Sequence, residues 1–174
     1  MDLDKYYSEI NTQHRWQGDV FASEDFSCDM PNDSIKYWML LNRTCQMVEN
    51  ETKTVKISSL VFCALIPIED FFTPQMPASK NKIKNIITGK TDNLAFLPTS
   101  DSIQSELIID FNLIYTFSLN NSPKAPQKKL QLSSPYSEHI LQRFSRWFYT
   151  VGIDDADLRD EEYINSLVEQ CTPD

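Results

Sequence analysis

The stretch SLVFCALIPI, residues 59–68, constrains this chain more than any other. It is apolar at nearly every position, so it cannot offer the alternation of a strand with one wet face. A strand of this kind is covered on both sides. The residues before it, TVKIS, bring β-branched side chains, and Pro67 marks its end. KYWMLLN (36–42) is a second nearly continuous apolar run, and ENETK (49–53) suits a hairpin connection between the two. Any fold for this chain must therefore place layers on both faces of a sheet.

The rest of the chain offers those layers in pieces. Gly18 and Asp19 form a turn into a short strand ending near Ala22, and residues 23–35 read as a long polar surface loop. Residues 69–78 read as a proline-containing loop. SKNKIKNIITGK follows, with Ser79 as N-cap, Gly89 as C-cap and Ile83, Ile86 and Ile87 at helical spacing. NLAFLP (93–98) is a short strand, and residues 105–120 hold one bent strand or two, interrupted at Asp110. After a basic loop (121–129) and a last short strand at 130–132, SPYSEHILQRFSRWFYTVG is the strongest helix. Ser134 suits its cap, Pro135 its first position and Gly152 its end, and Ile140, Phe144, Trp147, Phe148 and Val151 form its apolar stripe. Residues 154–170 read as a shorter acidic helix with Tyr163, Ile164, Leu167 and Val168 on one side.

With 174 residues and 41% hydrophobic content, the chain has material for a single core. The division that follows is an N-terminal lead-in (1–15), one domain (16–153) and an acidic C-terminal segment (154–174). Short strands, few helices and no β-α-β rhythm predict an α+β, mainly β fold built as a small antiparallel barrel with the late helix packed on it. No apolar run reaches 18 residues, and the acidic N-terminus lacks a signal-like apolar core, so no membrane partner and a cytoplasmic location are expected.

Charge is polarised along the chain. Residues 1–35 carry eight acids and two bases, and 151–174 carry eight acids and one base. Residues 78–91 carry four lysines and no acid, and 122–150 carry five bases against Glu138. The net charge of −9 speaks against coating a nucleic acid, while a basic face between acidic ends suits an anionic or acidic partner. His139, Arg143 and Arg146 stand at i, i+4 and i+7, and with Lys128 and Lys129 they make a candidate partner- or anion-binding set.

Other candidates are weaker in pattern. Cysteines at 28, 45, 63 and 171 lack metal or redox spacing and read as free thiols, so neither metal nor cofactor is expected. Cys45 as a nucleophile would need His14 or His139, which no motif links to it. Asp19, Asp25, Asp29 and Asp33 lack calcium-loop spacing and read as loop solvation. No glycine-rich phosphate loop is present.

Three stretches carry a resemblance. The Gly18–Asp19 turn, the box LLNRTCQMVE and the closing ELIIDFNLIYTF…LSSPYSEHILQRFSRWFYTVGI together resemble a group of uncharacterised small bacterial proteins. That group has a Gly-Asp start, a cysteine-containing polar box after a hydrophobic strand, and a Pro-Tyr-x-Glu helix near the end. The layout over about 16–153 is similar to the SH3-like barrel of the MazF/PemK toxin class. Gln46 stands where the group has an acid, and Thr150 where it has an arginine. The resemblance implies a bacterial setting such as phage defence or a toxin–antitoxin pair, while the residues themselves, with no specific acid–base pair, polarised charge and many aromatic and Met side chains, predict a non-catalytic interaction module whose partner is another protein or a second copy of the chain. The alternative implication of the resemblance is metal-independent RNA cleavage of the MazF type, in which Arg43 would stabilise the phosphate charge and Thr44 would position it. Adjacent strand residues face opposite ways, so Arg43 and Thr44 converge only where the strand bulges or ends.

Overall fold

The computed structural model describes residues 5–32, 35–43, 47 and 57–150, with 149 and 150 described by backbone alone. Five strands form one antiparallel sheet in the order β1-β2-β3-β5-β4: β1 Val20–Ala22, β2 Tyr37–Leu40, β3 Ser59–Pro67, β4 Leu94–Leu97 and β5 Leu107–Ser118. Among the described residues, the α-helices α1 Ile68–Phe71, α2 Lys80–Ile87 and α3 Tyr136–Thr150 accompany it. The α+β class matches the sequence reading. The sheet itself is open, where a small barrel was expected. No helix among the described residues is long and apolar enough to cross a membrane.

The apolar run that opened the reading is the sheet's centre. On one face Met39, Leu41, Cys63, Leu65, Leu107, Ile109 and Phe111 form a core with Ile140 of α3. On the other, Phe21, Trp38, Leu40, Leu60, Phe62 and Phe117 pack beneath Phe26 and Ile35. Those last two residues lie in the stretch read as a surface loop, but both are buried, and the Trp38 indole N–H donates to the Ser23 hydroxyl at 2.8 Å. A third, smaller cluster joins Ile86 of α2 and Phe71 and Phe72 to Ile108 and Leu94.

Strand β5 serves both faces by changing phase. Its pairing with β3 jumps from Cys63–Ile114 to Ala64–Asp110, so residues 111–113 bulge out of register. Before the bulge the odd residues Leu107, Ile109 and Phe111 face α3; after it Leu113, Tyr115 and Phe117 face the opposite core. Asp110 sits at the edge of the bulge, as its break in the apolar run suggested. Its Oδ1 accepts from the Asn112 backbone N–H and side-chain amide, both at 2.9 Å.

Helix ends follow the chemistry of their caps. Ser79 Oγ accepts from the Lys82 N–H at 3.3 Å. At the other end Gly89 has φ +74°, and the Gly89 and Lys90 N–H groups donate to the Ile86 and Asn85 carbonyls at 3.2 and 2.8 Å. That pair of bonds is a Schellman closure, which needs a left-handed residue at this place. Helix α1 takes Ile68 from the end of the apolar run and the first three residues of the segment read as loop. Pro135 precedes α3 rather than starting it: the Ser134–Pro135 peptide is cis, and the His139 N–H donates to the Pro135 carbonyl at 3.0 Å. The hairpin connection at 49–53, the helix end at Gly152 and the acidic helix at 154–170 lie outside the described residues.

The lead-in is fastened to the domain. Ser8 and Ser133 backbone N–H groups donate to the Gln131 and Tyr6 carbonyls at 3.0 and 2.9 Å, and the Tyr7 hydroxyl donates to the Pro98 carbonyl. Tyr7 and Val20 bridge to Leu132 and Leu130, so the expected last strand at 130–132 is a pair of isolated bridges along this edge.

Candidate functional site

The polar box begins where β2 loses its partner. Leu40 is the last residue of β2 paired with β3. The ladder is then prolonged by one side chain: the Leu41 N–H donates to the Val61 carbonyl at 2.9 Å, and the Val61 N–H donates to Asn42 Oδ1 at 2.6 Å. Asn42 thus ends the strand by replacing a backbone acceptor with its own amide. The Gln17 side-chain amide donates to the Leu41 carbonyl at 2.7 Å and fixes the chain on its other side.

This strand end opens onto a groove of about 370 Å³. Leu41, Asn42 and Arg43 form one wall with Gln17 and Val61, and Leu141, Phe144, Ser145 and Phe148 of α3 form the other. Arg43 is exposed at its rim. Phe144 is half-buried and packs edge-on to Phe111, with ring centroids 5.6 Å apart. Phe148 packs tilted against Phe144, with ring centroids 4.9 Å apart, and remains 56% exposed. The apolar stripe of α3 therefore runs from core at Ile140 to open surface at Phe148. Thr44 and Cys45 lie outside the described residues, so the proposed pairing of Arg43 with Thr44 has no geometry here.

The basic candidates do not assemble into one face. Lys128 is buried, its ammonium 2.9 Å from Asp19 Oδ2, and both side chains have 0% exposure. The ammonium also donates to Gln131 Oε1 at 3.0 Å. Asp19, expected in a solvated loop, is instead the anchor of the Gly18–Asp19 turn, with Oδ2 accepting from the Trp16 N–H at 2.6 Å. Burial pushes its carboxyl up to about 6, against the opposing pull of the Trp16 N–H and Lys128. Arg143 is also buried: its guanidinium donates to the carbonyls of Ile86 at 3.4 Å, Thr91 at 2.9 Å and Leu94. It closes the junction between α2 and β4, in the space left by Gly89, where an added Cβ would lie 3.4 Å from the guanidinium carbon.

Three candidates keep surface positions. Lys129 pairs with Asp25 at 3.2 Å and Glu24 at 3.8 Å. Arg146 is exposed on α3, and His139 is exposed on the wall of an open pocket of about 780 Å³ between the lead-in and the start of α3. Helical spacing thus placed His139, Arg143 and Arg146 on one stripe, but packing of α2 over its middle gave Arg143 a different environment. Of the described members of the apolar stripe, Ile140 is buried and Phe148 stays 56% exposed, a difference that helical spacing does not signal.

Among the described residues, no three histidine, cysteine or acidic side chains come together to hold a metal ion. Cys63 and Cys28 are free thiols; Cys63 is fully buried, and burial pushes its thiol well above the ordinary value. No protein-family model matches this chain, and no curated protein matches it significantly.

Proposed function

We propose that this chain is a non-catalytic interaction module that docks an acidic, apolar-bearing segment of a protein partner in the groove between the end of β2 and α3. The observation that carries the reading is the juxtaposition of Phe148, 56% exposed, and Arg43 on opposite walls of one groove. Exposed aromatics beside an arginine are the composition of interface centres, because each offers large contact area with few rotors to freeze. The rigid strand end at Asn42 would hold one wall in place and limit the ordering cost of binding. On the resemblance stated above, the setting would be a bacterial defence or toxin–antitoxin system. A cytoplasmic location belongs to the same reading.

The test is an affinity capture of the tagged full chain from its native cells, split into nuclease-treated and untreated halves, alongside Phe148→Asp and Arg43→Glu variants. A stoichiometric protein that survives nuclease and is lost from both variants supports the reading. A partner retained by both variants overturns it, and a second copy retained instead reassigns the groove to self-association.

Arg43 on the groove rim also favours the MazF-type reading, with an SH3-like scaffold and RNA as substrate. Lys128 is withdrawn from any such track by its pairing with Asp19. RNA recovered only from the untreated half, and cleavage abolished by Arg43→Ala, would carry that alternative.

A further inference from the structure

We infer that Tyr7, Tyr136 and Arg143 seal the outer edge of β4, and that the strand this edge would otherwise take is β4 of a second copy of the chain. The inference is independent of the groove.

An open sheet has two outer strands, here β1 and β4. Exposed N–H and C=O groups along such a strand are a template for another chain. The edge at β1 is closed largely by backbone: the Val20 N–H donates to the Leu130 carbonyl at 3.0 Å, the Lys129 N–H to the Val20 carbonyl at 2.8 Å, and the Ala22 N–H to Asp25 Oδ2 at 3.3 Å. The edge at β4 is closed by side chains. Its sequence, LAFL, carries no charge that would repel a second strand. The Phe111 N–H donates to the Asn93 carbonyl at 2.9 Å, and alternation along the ladder then turns Ala95 and Leu97 toward β5 and Leu94, Phe96 and Pro98 outward. Each outward carbonyl has a side-chain donor: the Arg143 guanidinium at Leu94, the Tyr136 hydroxyl at Phe96 and the Tyr7 hydroxyl at Pro98. Two of these donors come from α3 and one from the lead-in, so segments distant in sequence meet along one strand. Tyr6 packs edge-on against Tyr136, with ring centroids 4.8 Å apart, and holds that ring in place. Burial pushes both phenol groups above their ordinary value, so each keeps the proton it donates.

The identity of the second strand follows from the pattern of this edge. Two copies of β4 paired antiparallel about a two-fold axis at Phe96 would exchange both bonds between the two Phe96 residues. One step along, the Leu94 N–H of each copy would meet the Pro98 carbonyl of the other; at present it reaches the Thr91 carbonyl through a long bond of 3.4 Å. Pro98 has no N–H to return to the Leu94 carbonyl, and that carbonyl is the one Arg143 holds. The two carbonyls capped by tyrosine are thus the two that a second copy could satisfy. Removing the hydroxyls leaves both acceptors short of a donor, and a second strand supplies it.

The experiment compares the full chain with Tyr7→Phe/Tyr136→Phe, which keeps both rings and removes both hydroxyls, by sedimentation velocity over a concentration series. The expected result is a dimer dissociation constant at least about tenfold lower in the variant. Hydrogen exchange at its Phe96 amide should slow as concentration rises. The shift should survive Phe148→Asp, which separates it from association through the groove. A folded double variant that sediments as the parent chain overturns the inference. So does a dimer that leaves Phe96 exchange unchanged, or one that Phe148→Asp abolishes. Tyr7→Phe and Tyr136→Phe alone, the milder changes, should each give part of the shift. Two folded single variants that sediment as the parent overturn the inference even where the double variant fails to fold.

Discussion

Lys128→Met separates the buried ion pair from everything else the loop does. The substitution keeps the aliphatic stem and removes the ammonium that lies 2.9 Å from Asp19, at a site with 0% exposure for both side chains. Gln131 Oε1, its other contact, keeps the Asn11 N–H at 2.9 Å and is not orphaned. Asp19 is less fortunate: one oxygen retains the Trp16 N–H, and the other, Oδ1, already has no hydrogen-bond partner. Breaking one side of a buried pair costs about 3–5 kcal/mol, because the remaining charge has neither water nor a counterion. That is a large share of a total stability of about 5–15 kcal/mol, and for a chain of this length it lowers Tm by about 6–20 °C. Urea unfolding followed by the fluorescence of buried Trp38 would measure it. Asp19→Asn/Lys128→Met, which removes both charges and keeps an acceptor for Trp16, should cost clearly less than the two single changes added together. The pH dependence gives a second check. The folded carboxyl value of about 6 lies above the ordinary 3.8, so the folded chain holds a proton that the unfolded chain releases. This contribution is complete below about pH 3.8 and is lost as pH rises through about 6. Lys128→Met removes a charge that favours the carboxylate, so its penalty should be smaller near pH 5 than near pH 8. A loss under about 1 kcal/mol for Lys128→Met, or full additivity in the double variant, refutes the argument.

Arg143→Ala should cost about 3 kcal/mol in the same titration, since the carbonyls of Ile86, Thr91 and Leu94 lose a charged donor together. Arg143→Lys should recover little of it, because one ammonium cannot reproduce a fork that reaches three acceptors, and native-state hydrogen exchange should quicken first at Gly89 and Lys90. Gly89→Ala should lower stability by about 1–2 kcal/mol in thermal melts through its left-handed φ of +74°, and Gly89→Asn by less.

The elements set by local chemistry could be read directly. Ser79 and Gly89 bracket α2, Gly18 and Asp19 turn into β1, Asp110 marks the β5 irregularity, and the apolar run of β3 is covered on both faces. What escaped was set by residues distant in sequence. Asp19 and Lys128 are charged residues in stretches that read as loop, and only folding brings them to 2.9 Å. Arg143 shares a helix face with His139 and Arg146, but a helical wheel carries no information about the neighbour packed above it, here the end of α2 and its Gly89. The groove was legible in part: the strand end at Asn42 follows from the polar box, whereas the 56% exposure of Phe148 is set by what packs around α3 and not by its place on the apolar stripe.

The displaced pairing in β5 makes that strand two half-strands joined in series with their facings offset. Each half obeys its own alternation, and the offset lets a single backbone feed Leu107, Ile109 and Phe111 to one core and Leu113, Tyr115 and Phe117 to the other. Straightening the bulge with all of 111–113 kept would impose strict alternation and turn Tyr115 and Phe117 toward α3 while sending Ile114 to the opposite side, whereas with one residue fewer a straight strand would keep the present facings. The bulge thus works as a phase setting for both cores at once, and its straightening would be felt by side chains that neither touch it nor touch each other.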